Sequence, residues 1–104
     1  MPVVKYTPRK VGYHRRMAHI SQEEQQHRLT EALVKVPLGT KYVHYKNTDR
    51  TYTVIGHALL EATDEAAVIY ESDYGNHIPF IRPLEDFLAI VTVEGTEVPR
   101  FKKV

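Results

Sequence analysis

The spacing of apolar residues changes twice along this chain, and each change marks a different kind of element. Residues 1–20 follow neither a helical nor a strand period. From Ser21 the period is helical. Leu29, Ala32, Leu33 and Val36 recur at i, i+3, i+4 and i+7, which puts them on one face. Ser21 suits an N-cap, and Glu24 three residues on completes a capping-box pattern. Glu23 and Glu24 at the start and Lys35 at the end match the helix dipole, while Pro37 and Gly39 stop the helix. The pattern predicts a helix over 22–36. Its Leu29/Leu33/Val36 stripe should pack on the rest of the domain or on a second copy.

After Gly39 the period falls to two. Lys41–Lys46 alternates and is closed by a predicted turn at Asn47-Thr48-Asp49-Arg50. In Thr51–Leu60, alternation puts Tyr52, Val54, Gly56 and Ala58 on one face and Thr51, Thr53, Ile55 and His57 on the other. Gly56 marks a bulge or sharp bend. Ala66–Tyr70 is a third strand, Glu71–His77 a polar loop and Ile78–Ile81 a short extended segment. Pro83, backed by Glu85 and Asp86, begins a helical turn with Leu84, Phe87 and Leu88 inward. Ala89–Val93 and Thr96–Phe101 flank a tight turn at Glu94-Gly95, and Pro99 makes the second strand an edge. The expected architecture is mainly β: a small, strongly bent antiparallel barrel of the SH3-like kind, preceded by one α-helix. An open curled antiparallel sheet is the alternative. Residues 1–20 read as an N-terminal arm and 21–104 as a single domain, with helix 22–36 and barrel 40–104.

Composition narrows the chemistry. A length of 104 residues is one domain's worth, and 42% hydrophobic with 26% charged residues is ordinary for a globular chain. There is no cysteine, which removes disulfides, thiolate metal sites and a cysteine nucleophile together. No apolar run approaches a membrane span, and MPVVKYTPRK is too broken by charge for a signal peptide. A cytoplasmic protein without membrane contact is expected. The net charge of +1 conceals an asymmetry: residues 1–20 hold five Lys/Arg and no acid, whereas residues 36–104 hold seven against ten. That basic arm, with Lys5, Arg9, Lys10, Tyr13, Arg15 and Arg16, interleaves cations and aromatic rings as single-stranded nucleic acid partners require.

From Gly39 onward an ordered set of residues stands out. It runs Gly39, Tyr42-x-His44-Tyr45-Lys46, Tyr52-x-Val54, Ala58, Thr63-x-Glu65, Val68-x-Tyr70, Tyr74-Gly75, Arg82-Pro83-Leu84, Phe87 and Pro99-Arg100-Phe101. Over residues 39–101 this resembles a small bacterial and phage family known as a domain of unknown function, number 1653 in its series. The family has no established activity, so the resemblance implies a domain boundary and a set of recurrent positions. Leu59 and Leu60 stand where the family has an Arg-His pair, Phe80 where it has Trp, and Asn47 where Gly follows the Lys. A family chemistry that used the His would be missing here. Residues 1–38 fall outside the resemblance.

Catalytic patterns are weak. Of two serines, Ser21 suits a cap and Ser72 lies in a loop without a nucleophile elbow. Six histidines (His14, His19, His27, His44, His57 and His77) include no His-x-His or His-Glu-x-x-His spacing. His44 and His57 flank one hairpin and His77 would have to join them, so neither a metal nor a cofactor is expected. Glu65 is a general acid or base only if a basic group faces it. The strongest constellation is polar and aromatic: His44 and Lys46 with Tyr42 on one strand face, then Tyr70, Tyr74 and Arg82. Arg82 follows an apolar run and precedes Pro83, so it should be half-buried and in need of an acceptor. The favoured acceptor is an internal carboxylate, Glu65 or Asp86, and the alternative is an anionic ligand. Arg100 poses the same question more weakly.

The expectation is therefore a non-catalytic binding module. It would recognise a protein segment or a small anionic ligand such as a nucleotide through His44, Lys46, Tyr70, Tyr74 and Arg82. The alternatives are nucleic-acid binding through the arm and a small enzyme of unrecognised chemistry. The oligomeric state is open.

Overall fold

Ser21 caps its helix as its side chain suggests: the hydroxyl accepts the Glu24 N–H at 3.1 Å, and α1 runs Gln22–Lys35. The computed structural model describes residues 20–104, so the basic arm with Lys5, Arg9, Lys10, Tyr13, Arg15 and Arg16 lies outside the described residues. The Glu24 carboxylate turns to Arg28, 3.3 Å away one helical turn on.

The buried line of α1 differs from the predicted stripe. Ala32 and Val36 are fully enclosed, but Leu29 is half-buried and Leu33 is 46% exposed. The reason is a polar anchor at the start of the helix. Asp64, itself enclosed, accepts from the Ile20 N–H and the Gln25 side-chain amide, and its carbonyl accepts from Arg28. Gln25, Arg28, Ala32 and Val36 then form the line that faces the sheet, which turns Leu33 away. At the far end His57 Nε2–H donates to the Val36 carbonyl at 2.6 Å. Gly39, with φ at +80°, supplies the left-handed third position of the turn from Pro37 to Thr40 that delivers the chain to the sheet.

Seven strands follow. β1 (Lys41–His44), β2 (Asn47–Leu59), β3 (Ala66–Ser72), β4 (Pro79–Pro83) and β7 (Phe101–Lys103) form an antiparallel sheet in the order β4-β3-β2-β1-β7. β5 (Ile90–Val93) and β6 (Thr96–Pro99) pair as a separate ribbon, and α2 (Leu84–Phe87) precedes it. The fold is mainly β with one long helix in front. The sheet does not close through hydrogen bonds, so the expected barrel gives way to an open sheet with edges at β4 and β7. Closure fails because the predicted strand Thr96–Phe101 breaks at Arg100. There the backbone N–H binds Ala89 and the carbonyl accepts from Tyr45, which sends Phe101 into β7 and leaves β5 and β6 outside. The sheet nevertheless curls until its two edges meet through side chains. The Arg82 guanidinium of β4 lies 5.7 Å from the Phe101 ring of β7.

Two local shifts matter for the site. The first turn is Tyr45-Lys46, and Asn47-Thr48-Asp49-Arg50 instead begin β2. The cross-strand pair Tyr42/Tyr52 sets that register, with an irregularity between Val43 and His44. Lys46 is thus a turn residue and not a strand neighbour of Tyr42 and His44. The second shift is a bulge between Val54 and Gly56 that leaves Ile55 unopposed. Beyond it the alternation slips by one. His57 and Leu59, not Gly56 and Ala58, share the inner face with Tyr52 and Val54. That face carries Tyr42, Val54, Val68, Tyr70 and Phe101, covered by Ala32 of α1, its C-cap Val36, and Leu84 and Phe87 of α2.

The free edge of β4 is guarded. Ser72 N–H binds the Ile78 carbonyl, so the even-numbered residues of this strand bond β3 and the odd ones face outward. Of these, Pro79 and Pro83 have no N–H, and only Ile81 offers one. At the other hairpin, Glu94 and Gly95 both take positive φ (50° and 79°), the geometry of a two-residue type I′ turn. No helix of the described residues is long and apolar enough to cross a membrane.

On the outer face, Asp73 ties β1, β2 and the loop after β3 together. Its carboxylate accepts from Thr51 and Thr53 hydroxyls (2.6 Å each) and from Lys41 Nζ (2.9 Å). The Lys41 bond first, then the two threonines, hold its carboxyl at about 2 against an ordinary 3.8. A depressed carboxylate stabilises fully above its unfolded value and loses that contribution as pH falls through the folded one. Asp73→Asn should therefore cost about 1–2 kcal/mol at pH 7, after screening of its 24% exposed side chain. It should also flatten the stability loss between pH 4 and pH 2 (about the window of that shift), as read by urea unfolding. An unchanged acid profile would refute the assignment.

Candidate anion-binding site

The meeting of the two sheet edges brings cations together over aromatic rings. Phe101 is the floor: it stacks on Phe87 at 4.2 Å and 5°, and meets Tyr70, Tyr52 and His44 edge-on. Strand alternation on β4 points Arg82 to this face, opposite Val68 on β3. Arg100, at the break before β7, is adjacent to Phe101 in the chain. His44 lies opposite Phe101 across the β1–β7 pair, with its ring 5.0 Å away.

No carboxylate joins this group among the described residues. The ion pairs found there are Arg28–Glu24, Lys35–Glu31 and Lys41–Asp73. Arg82 donates through Nε to the Tyr70 hydroxyl, at a long 3.4 Å, and sits over the Phe101 ring. The expected partners, Glu65 and Asp86, do not meet it. Glu65 is held by the Thr63 hydroxyl in a turn and borders the groove between α1 and α2. Asp86 is exposed in the first turn of α2, where the helix dipole favours an acid. Arg100 is half-buried, and its Nε is enclosed with no hydrogen-bond partner among the described residues. A buried guanidinium donor left unmatched is costly unless an acceptor arrives.

His44 registers the surplus of positive charge. Burial first, then Arg82, Arg100 and Lys46, pull its pKa below the usual 6.5. Its Nδ1 accepts the Lys46 N–H at 3.1 Å, so the neutral ring carries its proton on Nε2 as a donor. Lys46 stands in the turn beside the cluster, with its Nζ 5.8 Å from the Tyr45 ring.

Tyr74 stands apart from Arg82, Arg100 and His44. Its hydroxyl is 3.1 Å from that of Tyr52, and the Arg50 guanidinium lies 4.5 Å over its ring. The hydrogen bond to Tyr74 and then burial push Tyr52 up to about 12, while the same bond lowers Tyr74. Either hydroxyl can donate in this pair. Of the five residues singled out in the sequence, His44, Tyr70 and Arg82 meet directly around Phe101. Lys46 adds charge from the turn, and Tyr74 is joined only through Tyr52. Arg100 proves stronger than its sequence signal, and the sequence marks Tyr52 and Phe101 as strand residues and as positions of the family resemblance, with no site role.

Other arrangements offer less. His44, His57 and His77 do not gather: His57 holds Val36, and His77 Nδ1 is 3.0 Å from the Ser72 carbonyl. Among the described residues no group of three or more His, Asp or Glu is placed to hold a metal. The groove between α1 and α2 mixes Glu24, Glu31, Glu65 and Glu85 with Arg28 and Lys35, and both cations are already paired there.

The family described as "Protein of unknown function (DUF1653)" matches residues 40–103, which takes in every residue of the cluster and leaves α1 outside. Among solved structures, a crystal structure of a DUF1653 protein from Bordetella bronchiseptica is similar. It shares 30% identity over 64% of this chain and 85% of its own, with a TM-score of 0.54. No curated protein matches the chain.

The imidazole offers a direct check on the cluster. In an NMR titration His44 should lose its proton below pH 6.5, and Arg82→Ala or Arg100→Ala should each move that midpoint upward. A midpoint indifferent to both substitutions would mean the cations do not converge on it.

Proposed function

The chain belongs to the DUF1653 family of proteins of unknown function, and from that starting point we propose that it is a binding module for an anionic ligand, seated where β4 meets β7. The observation that carries this reading is the pair of arginines, Arg82 and Arg100, without a carboxylate among the described residues. An internal ion pair would have spent both guanidinium groups. Here neither meets a carboxylate among the described residues, while His44 offers a donor, Lys46 adds charge and the Tyr70 hydroxyl adds a polar contact. Arginine suits a phosphate or carboxylate because its planar fork makes two parallel charge-assisted bonds. Addition of a peptide strand at the β4 edge is a poor competitor, since Pro79 and Pro83 remove two of its three outward donors.

Protonation and binding are linked in this reading. An anion in the cluster favours the charged imidazole, so it raises the His44 pKa and binds more tightly as pH falls through that value.

Inorganic phosphate and pyrophosphate, titrated by calorimetry and by the His44 NMR signal, form the test. Arg82→Ala should weaken pyrophosphate at least tenfold, about 1.4 kcal/mol. It should leave stability within about 1 kcal/mol, because only a long hydrogen bond and one cation–π contact are lost. Arg82→Lys should fall between, keeping charge without the fork. A large loss of stability in Arg82→Ala, or affinity that ignores the substitution, would remove the reading.

A further inference from the structure

Beside the cationic cluster, the same sheet face carries an exposed aromatic ring, Phe80. Phe80 lies on β4 two residues before Arg82, so both side chains leave the same face, about 6.7 Å apart along the strand. Its ring is 45% exposed, unlike Tyr70 and Phe101, which are buried. The ring stands 5.8 Å from Tyr70 and 6.4 Å from Tyr52, and the Tyr52–Tyr74 hydroxyl pair continues the platform under Arg50. These neighbours fix Phe80 from behind while its outer side remains unpacked. A held, solvent-facing ring on the same strand as an arginine with no carboxylate partner among the described residues is suited to a ligand with two unlike ends.

We infer that the ligand is a nucleoside 5′-phosphate, its base stacked on Phe80 and its phosphate held by Arg82 and Arg100. The inference rests on the anion-binding reading of the same cluster and adds the ring. A ribose joins a base to its 5′-phosphate over the spacing of two strand residues, which is the spacing of Phe80 and Arg82. Inorganic phosphate or a sugar phosphate would satisfy the cations and leave the ring exposed. A nucleoside without phosphate would do the reverse. Base-on-aromatic stacking tolerates any base, so the site selects the class and not the letter. The nucleotide is either free in solution or the 5′ end of a strand, and both present the same chemistry.

The experiment compares adenosine 5′-monophosphate with ribose 5-phosphate on the full chain, by calorimetry. The nucleotide should bind at least tenfold more tightly. Phe80→Ala should erase that ratio and leave ribose 5-phosphate unchanged, and Phe80→Tyr should restore it. The exposure of Phe80 means that Phe80→Ala should fold, and an unchanged His44 titration would verify an intact cluster. A 5′-phosphorylated trinucleotide that binds more tightly than the mononucleotide assigns the ligand to a strand end, and otherwise it is the free nucleotide. Equal affinity for the nucleotide and ribose 5-phosphate overturns the inference but leaves the anion site standing, as does a ratio that survives Phe80→Ala. Failure of both compounds, together with pyrophosphate, overturns the anion site as well.

Discussion

The stack of Phe101 on Phe87 is the contact from which the rest of this structure follows. Phe101 belongs to one edge strand, and Phe87 to the helical turn that directly follows the opposite edge strand. Rings 4.2 Å apart and nearly parallel can form only if the sheet curls far enough for its edges to face each other. Five strands linked antiparallel would otherwise form an open, twisted layer. Curling is eased by the Ile55 bulge, which adds a residue to the longest strand and bends it. The seam is therefore a side-chain closure of a sheet whose backbone stays open.

Such a seam explains why the cluster is where it is. A barrel closed by backbone hydrogen bonds would bring strands to about 4.8 Å and fill the gap between them. Here β4 and β7 approach through Arg82 and Phe101, and His44 and Tyr70 meet the same pair. Placing two arginines there without a carboxylate among the described residues sacrifices stability that a neutral pair of side chains would have kept. Positions that sacrifice stability in this way are where function is sought.

Much of the fold was legible because local chemistry and global packing agree. Ser21 caps, Glu94-Gly95 turns tightly and Pro83 starts α2, as their side chains and backbone preferences require. Expectation failed where a long-range contact overrode a local period. Asp64 grips Gln25 and Arg28 from 36 to 39 residues away, and that rotates the buried line of α1 from Leu33 to Ala32. Alternation along β2 could be read only as far as Val54, because a bulge moves every later side chain to the other face. Arg82 is half-buried as expected, and its acceptor is the Tyr70 hydroxyl. Yet the ring it sits over belongs to β7, which arrives 19 residues later in the chain. Charge alone could not tell a carboxylate at Glu65 from an aromatic ring at Phe101.

The family span also leaves its own core unfinished in this chain. Residues 40–103 supply the sheet, α2 and the whole cationic cluster, but Ala32 of α1 and its C-cap Val36 are fully buried members of the same core. His57 bonds the Val36 carbonyl from inside the span, and Asp64 anchors the helix start, so both ends of α1 are held by family residues. α1 covers Val54 and Val68 at one end of the inner face, while Phe101, Arg82 and Phe80 lie toward the seam. The division is physical: one part of the face is sealed by a helix to make a core, and the other is left for polar and aromatic groups to meet solvent. A helix extended across both would bury Arg82 and Arg100 without acceptors, at a cost of several kcal/mol for each isolated charge.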